Sequence, residues 1–159
     1  MILEKSSDPF WVMNSAETFG AKAPISRPRS GRPLVAPSLR RLQKAYETFG
    51  KQADFYWVYI REAHPLGSSR PSPLQIEQPK TFERRQEVAI TCSVDLNVTI
   101  PMLVDDLNDT VSRAFDAMPD RMYIIGKDGH IAYKGGRGPR EFNVQEMTGA
   151  LEKLLAKKP

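Results

Sequence analysis

The chain has 159 residues, 40% of them hydrophobic and 26% charged, and a formal net charge of +4 at pH 7. That size suits one globular domain with a real core. No stretch approaches the roughly 18 apolar residues that would span a bilayer, and the start lacks the basic, apolar and small-residue regions of a secretion signal, so a cytoplasmic chain without a membrane span is expected.

Residues 1–33 mix Gly20, Gly31, Pro24, Pro28, Pro33 and several serines with little apolar periodicity. They read as an extended or disordered arm ahead of a domain at 34–159, and only Phe10–Met13 offers a short strand there. The basic residues Lys22, Arg27, Arg29, Arg32, Arg40, Arg41, Lys44 and Lys51 read as a solvated helix face plus this arm. No aromatic residues interleave with them as base stacking would require, so no nucleic-acid partner is expected.

Pro37 and Ser38 open a helix with Leu39, Leu42, Ala45, Tyr46 and Phe49 at helical spacing, and Gly50 is expected to end it in a left-handed conformation. Asp54 to Ile60 is a run of aromatic and β-branched residues, a strand buried on both faces as in a parallel sheet. Arg61 to Lys80 carries four prolines, Gly67 and three serines. It is a loop leaving the strand's carboxyl end, where open α/β sheets place their ligands. Thr81 caps a helix to about Leu96, with Phe82, Val88, Ala89 and Cys92 towards its inner face, and Ile100–Val104 is a short strand. Asp105 and Asp106 lead a short helix to about Asp116. Met122–Ile125 and Ile131–Tyr133 pair as a hairpin across Lys127-Asp128-Gly129-His130. Asn143, with Glu146 three residues on, caps a last helix that buries Val144, Met147, Leu151, Leu154 and Leu155.

The order helix, strand, helix, strand, helix, hairpin, helix defines an α/β chain of thioredoxin-like, three-layer design: a central mixed sheet flanked by helices, with its first core strand incomplete or absent. Phe10–Met13 is the only candidate to fill that slot.

Tyr59-Ile60-Arg61-Glu62-Ala63-His64-Pro65 resembles the Tyr-Ile-x-Glu-Ala-His-Pro motif of the iodothyronine deiodinase family. Asp120 to Ile125, then Tyr133-Lys134-Gly135-Gly136-Arg137-Gly138-Pro139, resemble that family's carboxyl-terminal hairpin and Tyr-x-Gly-Gly-x-Gly-Pro loop. Gly20-Ala21-Lys22-Ala23-Pro24 is similar to a Gly-x-x-Ala-Pro segment of many redoxins, and Gly31 to Val35 looks like the start of the strand that leads to the nucleophile. In the family that strand continues through Leu-Asn-Phe-Gly-Ser to a selenocysteine or cysteine. Here Val35 runs directly into Ala36, so the nucleophile-bearing segment is missing between them. A gene model joined across a UGA selenocysteine codon would leave such a gap, and a true loss would leave a pseudoenzyme.

The resemblance implies reductive deiodination of an iodothyronine-type substrate, with a thiol cosubstrate, no bound cofactor and no metal. Its expected partners are a small iodinated phenol or related molecule and a second copy of the chain. His64 is implied to bind or protonate the substrate, with Glu62 orienting it or holding Arg61; a solvated strand-end carboxylate is the other reading of Glu62. Cys92, the only cysteine, is either a resolving thiol or a small buried helix residue, and it excludes an internal disulfide. Arg137 offers a fork of donors to a substrate carboxylate, or belongs simply to a tight glycine turn. Pro119 lies where thioredoxin folds carry a cis-proline, or ends a helix. After His64-Pro65 the family's acidic, tryptophan-containing continuation is replaced by Leu66-Gly67-Ser68-Ser69, which alters the expected pocket lining. The competing functions are an ordinary thiol peroxidase or redoxin, and a non-catalytic ligand-binding pseudoenzyme.

Overall fold

The computed structural model describes residues 37–71 and 76–157, together with the backbone of Val12 and Met13. The rest of the expected 1–33 arm, the basic residues from Lys22 to Arg32 and the junction of Val35 with Ala36 lie outside the described residues.

Five strands form one mixed sheet. β1 (Val12–Met13) lies at its centre, parallel to β2 (Trp57–Tyr59) and antiparallel to β4 (Arg121–Ile125). β3 (Met102–Val104) lies parallel to β2 at one edge, and β5 (Ile131–Lys134) completes the hairpin with β4 at the other. Of the expected filler Phe10–Met13, Val12 and Met13 are described and take the central slot, while Phe10 and Trp11 lie outside the described residues. β2 is shorter than the apolar run around it, yet Phe55 and every residue from Trp57 to Ile60 are buried, as a strand covered on both faces requires.

Alternation along β2 divides the core. Trp57 packs with Leu39, Leu42 and Ala45 of α1 (Pro37–Phe49) and with Val144, Met147 and Leu151 of α4 (Val144–Ala156). Tyr59 packs on Val88, Ala89 and Cys92 of α2 (Phe82–Asp95). Val58 and Ile60 join Tyr123 in a second layer beneath α3 (Thr110–Ala114), against Val111 and Phe115. Each fully buried large apolar side chain contributes about 1.5–3 kcal/mol, so these clusters set the fold.

Helix ends follow the sequence in part. The Thr81 side chain accepts from the Arg84 N–H, and Asn143 accepts from the Glu146 N–H at 3.2 Å. Three expectations change. Gly50 is not left-handed; instead a Cβ there would sit 2.6 Å from the Tyr46 carbonyl oxygen, so close approach is what demands glycine. Phe82 is exposed rather than inward-facing: it is the first residue of α2, and the buried face of that helix begins at Arg85. Asp105 and Asp106 precede α3 rather than open it: the Asp105 carboxylate accepts from the N–H groups of Val111 and Ser112 at 2.9 and 2.8 Å, and Asp106 accepts from Thr110.

Candidate functional site

The carboxyl ends of β2 and β3 and the turn that precedes β4 meet around a cleft of about 810 Å³. Since β4 runs antiparallel to its neighbour, its amino end falls on the same side of the sheet. Three chain segments therefore converge on one rim: the root of the 61–80 loop, the 105–109 loop, and Met118–Pro119, whose peptide bond is cis.

His64 lines this cleft and is exposed; Glu62 also lines it but is buried, at 4% exposure, which corrects the solvated reading of that carboxylate. Arg61 reaches across to Asp109 at 3.7 Å. Cys92 is not part of the lining. Its side chain packs in the α2 cluster against Tyr59, and its thiol is pushed up to about 12 by burial first and by the nearby Glu62 carboxylate second. A thiol held protonated in this way is a poor nucleophile. The Tyr59 hydroxyl, buried in the same cluster, has no hydrogen-bond partner among the described residues.

Arg137 is drawn elsewhere. Its guanidinium donates to Asp116 at 2.6 Å, and Arg121 donates to the other oxygen of the same carboxylate at 2.8 Å. The hydrogen bond from Arg121, helped by the charge of Arg137, holds the Asp116 carboxyl below its ordinary range. Behind this cluster the glycine loop is tightly packed: a Cβ on Gly138 would come within 2.1 Å of the fully buried Asp120 carboxylate.

The sequence reading overlooked Arg85. It is 2% exposed and lines the floor of the cleft. Its Nη1 donates to the carbonyls of Asp105 and Asp106 and to the Asp109 carboxylate at 3.1 Å. The available signal was spacing, since residues 85, 88, 89 and 92 share one helical face, and an arginine on an otherwise apolar face must be paired. Among the described residues no group of three or more His, Cys, Asp or Glu side chains could hold a metal ion, and no helix is long and apolar enough to cross a membrane.

Strand order, helix placement and a cleft at the sheet's carboxyl edge define a thioredoxin-like protein. A solution structure of an uncharacterized thioredoxin-like protein from Porphyromonas gingivalis superposes with a TM-score of 0.57 at 16% identity, covering 96% of this chain and 79% of that one. Within that fold the family is specific: the sequence model for iodothyronine deiodinase matches residues 31–155, and the chain belongs to that family. Thyroxine 5-deiodinase of Sparus aurata is 31% identical over 122 residues, covering 76% of this chain and 45% of the relative. The Ovis aries enzyme of the same name is 31% identical over 145 residues, covering 79% and 47%. The chain thus spans less than half the length of these relatives.

Proposed function

We propose that this chain is a deiodinase-type oxidoreductase domain whose family reaction, reductive removal of iodide from an iodothyronine-type phenol, is impaired in the sequence as it stands. One observation supports this above the others. The Tyr-Ile-x-Glu-Ala-His-Pro stretch leaves β2 directly into the wall of the cleft, opposite Met118–Pro119.

In such a reaction a C–I bond becomes C–H, two thiols become a disulfide, and iodide departs. A soft nucleophile takes the iodine while an acid supplies the proton to carbon. His64 is the proton donor or phenol ligand in this reading, and Glu62 behind it sets its orientation. A selenocysteine or cysteine between Val35 and Ala36 would be the nucleophile, and a small thiol the reductant. A resolving role for Cys92 would need its thiol to ionise within reach of solvent, and burial works against both. The burial of the only thiol favours a second reading, a pseudoenzyme that binds ligand without turnover.

The test is iodide release with dithiothreitol from the chain as written and from a version with the cysteine-bearing segment restored between Val35 and Ala36. Release by the restored chain alone supports the proposal. Release by the unaltered chain overturns the claim of impairment, and binding without release by either favours the pseudoenzyme.

A further inference from the structure

We propose that the groove between α1 and α4 receives an acidic amphipathic helix of a partner protein, which lays an apolar side chain over Gly149 and turns carboxylates towards Arg41 and Lys44. The groove holds about 430 Å³ and shares no lining residue with the cleft at the carboxyl end of the sheet. The proposal therefore does not rest on the deiodinase reading.

Gly149 lies inside α4, where only proline is a poorer helix former. Nothing within the chain requires it. Its backbone is not left-handed, and a Cβ built there would meet no heavy atom within 4 Å, in contrast to Gly50 and Gly138, where neighbours exclude one. The glycine leaves bare helix backbone in the wall of a groove that the chain itself does not fill. Ala45 of α1 lines the same groove, and such small residues let a second backbone approach closely.

Charge selects the occupant. Arg41 and Lys44 line the groove and are exposed, against a single lining carboxylate, Glu152. Neither cation makes an ion pair among the described residues. Arg40, exposed beside them, adds to the excess. α1 has no acidic residue in its first turn, so the positive end of its dipole goes unanswered as well. The segment before α1 has the wrong sign to respond, since residues 14–36 carry Lys22, Arg27, Arg29 and Arg32 against Glu17 alone. A second copy brings a further net charge of +4. A bilayer fits no better: among the described residues, none of the exposed large apolar side chains lies on α1 or α4, so this surface has nothing to insert among lipid chains. It is a seat that receives an apolar group between cations. A helix with leucines and glutamates at three- and four-residue spacing presents both on one face.

The experiment titrates the full chain, followed by its amide chemical shifts, with an amidated leucine- and glutamate-patterned peptide of about 16 residues, long enough to hold a helix in water. Its control carries glutamine for every glutamate, and both are used at about 0.15 M salt. The expected result is shifts confined to residues 41–48 and 144–152, with at least about tenfold preference for the glutamate peptide. Gly149→Leu should abolish binding by filling the groove while keeping the fold, because leucine is the better helix former and its Cβ meets nothing. Arg41→Glu/Lys44→Glu should weaken binding at least about tenfold. Equal binding of the two peptides, binding of neither, shifts centred elsewhere, or affinity unchanged in both variants overturns the proposal. So does binding of phosphatidylserine vesicles through the same amides without the peptide, or self-association of the free chain that Gly149→Leu abolishes, which would give the groove to a membrane or to a second copy.

Discussion

Arg85 of α2 and Asp109, 24 residues further along the chain, form a 3.1 Å ion pair whose arginine is almost wholly buried. Through it the helix after the 61–80 loop holds the loop after β3, and two walls of the cleft become one unit. Replacing Arg85 with alanine leaves Asp109 with only the longer 3.7 Å contact from Arg61 and two carbonyls without this donor, so a loss of about 3 kcal/mol is expected. Urea denaturation measures this, and amide exchange should show residues 105–109 losing protection first; a change below about 1 kcal/mol would remove the clamp from the account.

Two glycines should respond with opposite signs. Gly138→Ala places a methyl within 2.1 Å of the buried Asp120 carboxylate, and overpacking of this kind costs about 1–3 kcal/mol. Gly149, within α4, has nothing within 4 Å of the added Cβ. Gly149→Ala should stabilise by about 0.5–1 kcal/mol through helix propensity and reduced freedom of the unfolded chain. Thermal melts of both variants decide the matter.

Cys92 should resist alkylation. With its thiol pushed from 9.0 to about 12, the thiolate fraction at pH 8 falls about a thousandfold. Iodoacetamide should leave the native chain unmodified by intact mass over a period that fully modifies the urea-unfolded chain. The same shift makes stability fall with alkali. The unfolded chain gives up this proton near pH 9 and the folded chain only near 12, so stabilisation present below pH 9 is lost as pH rises across that window. Cys92→Ala should flatten that part of the profile relative to the parent chain. Tyr133, raised by its own burial, titrates in both proteins and cancels in the comparison.

His64 is exposed and outside every core cluster, so His64→Ala should shift stability by less than about 0.5 kcal/mol. In a nucleophile-restored chain the same change should lower the rate of iodide release by about 10²–10⁴-fold as a proton donor is removed. Equal rates for the two would dismiss the imidazole from the chemistry.

Much of the architecture was legible because it rests on local periodicity and turn chemistry. Thr81 and Asn143 cap as their side chains dictate, and the Asp128-Gly129 step sits in the expected hairpin turn with Gly129 at φ +78°. Of the residues that motifs singled out, Glu62 and His64 fall at the cleft and Arg137 does not; Cys92, noted as the only cysteine, lies off it too. What escaped depended on long-range pairing. Nothing adjacent to Arg85 announces that its partners lie 20 to 24 residues on, and nothing near Asp116 announces Arg137, 21 residues away. The exposed-looking Glu62 is buried by neighbours that only the folded chain brings over it.

β2 and β4 each bond to β1 through the same two described residues, Val12 and Met13. Those two residues thus hold the parallel β2–β3 pair and the antiparallel β4–β5 hairpin in one sheet. Were they displaced, the facing edges of β2 and β4 would be left as open templates for any extended segment of matching length, from the same chain or another.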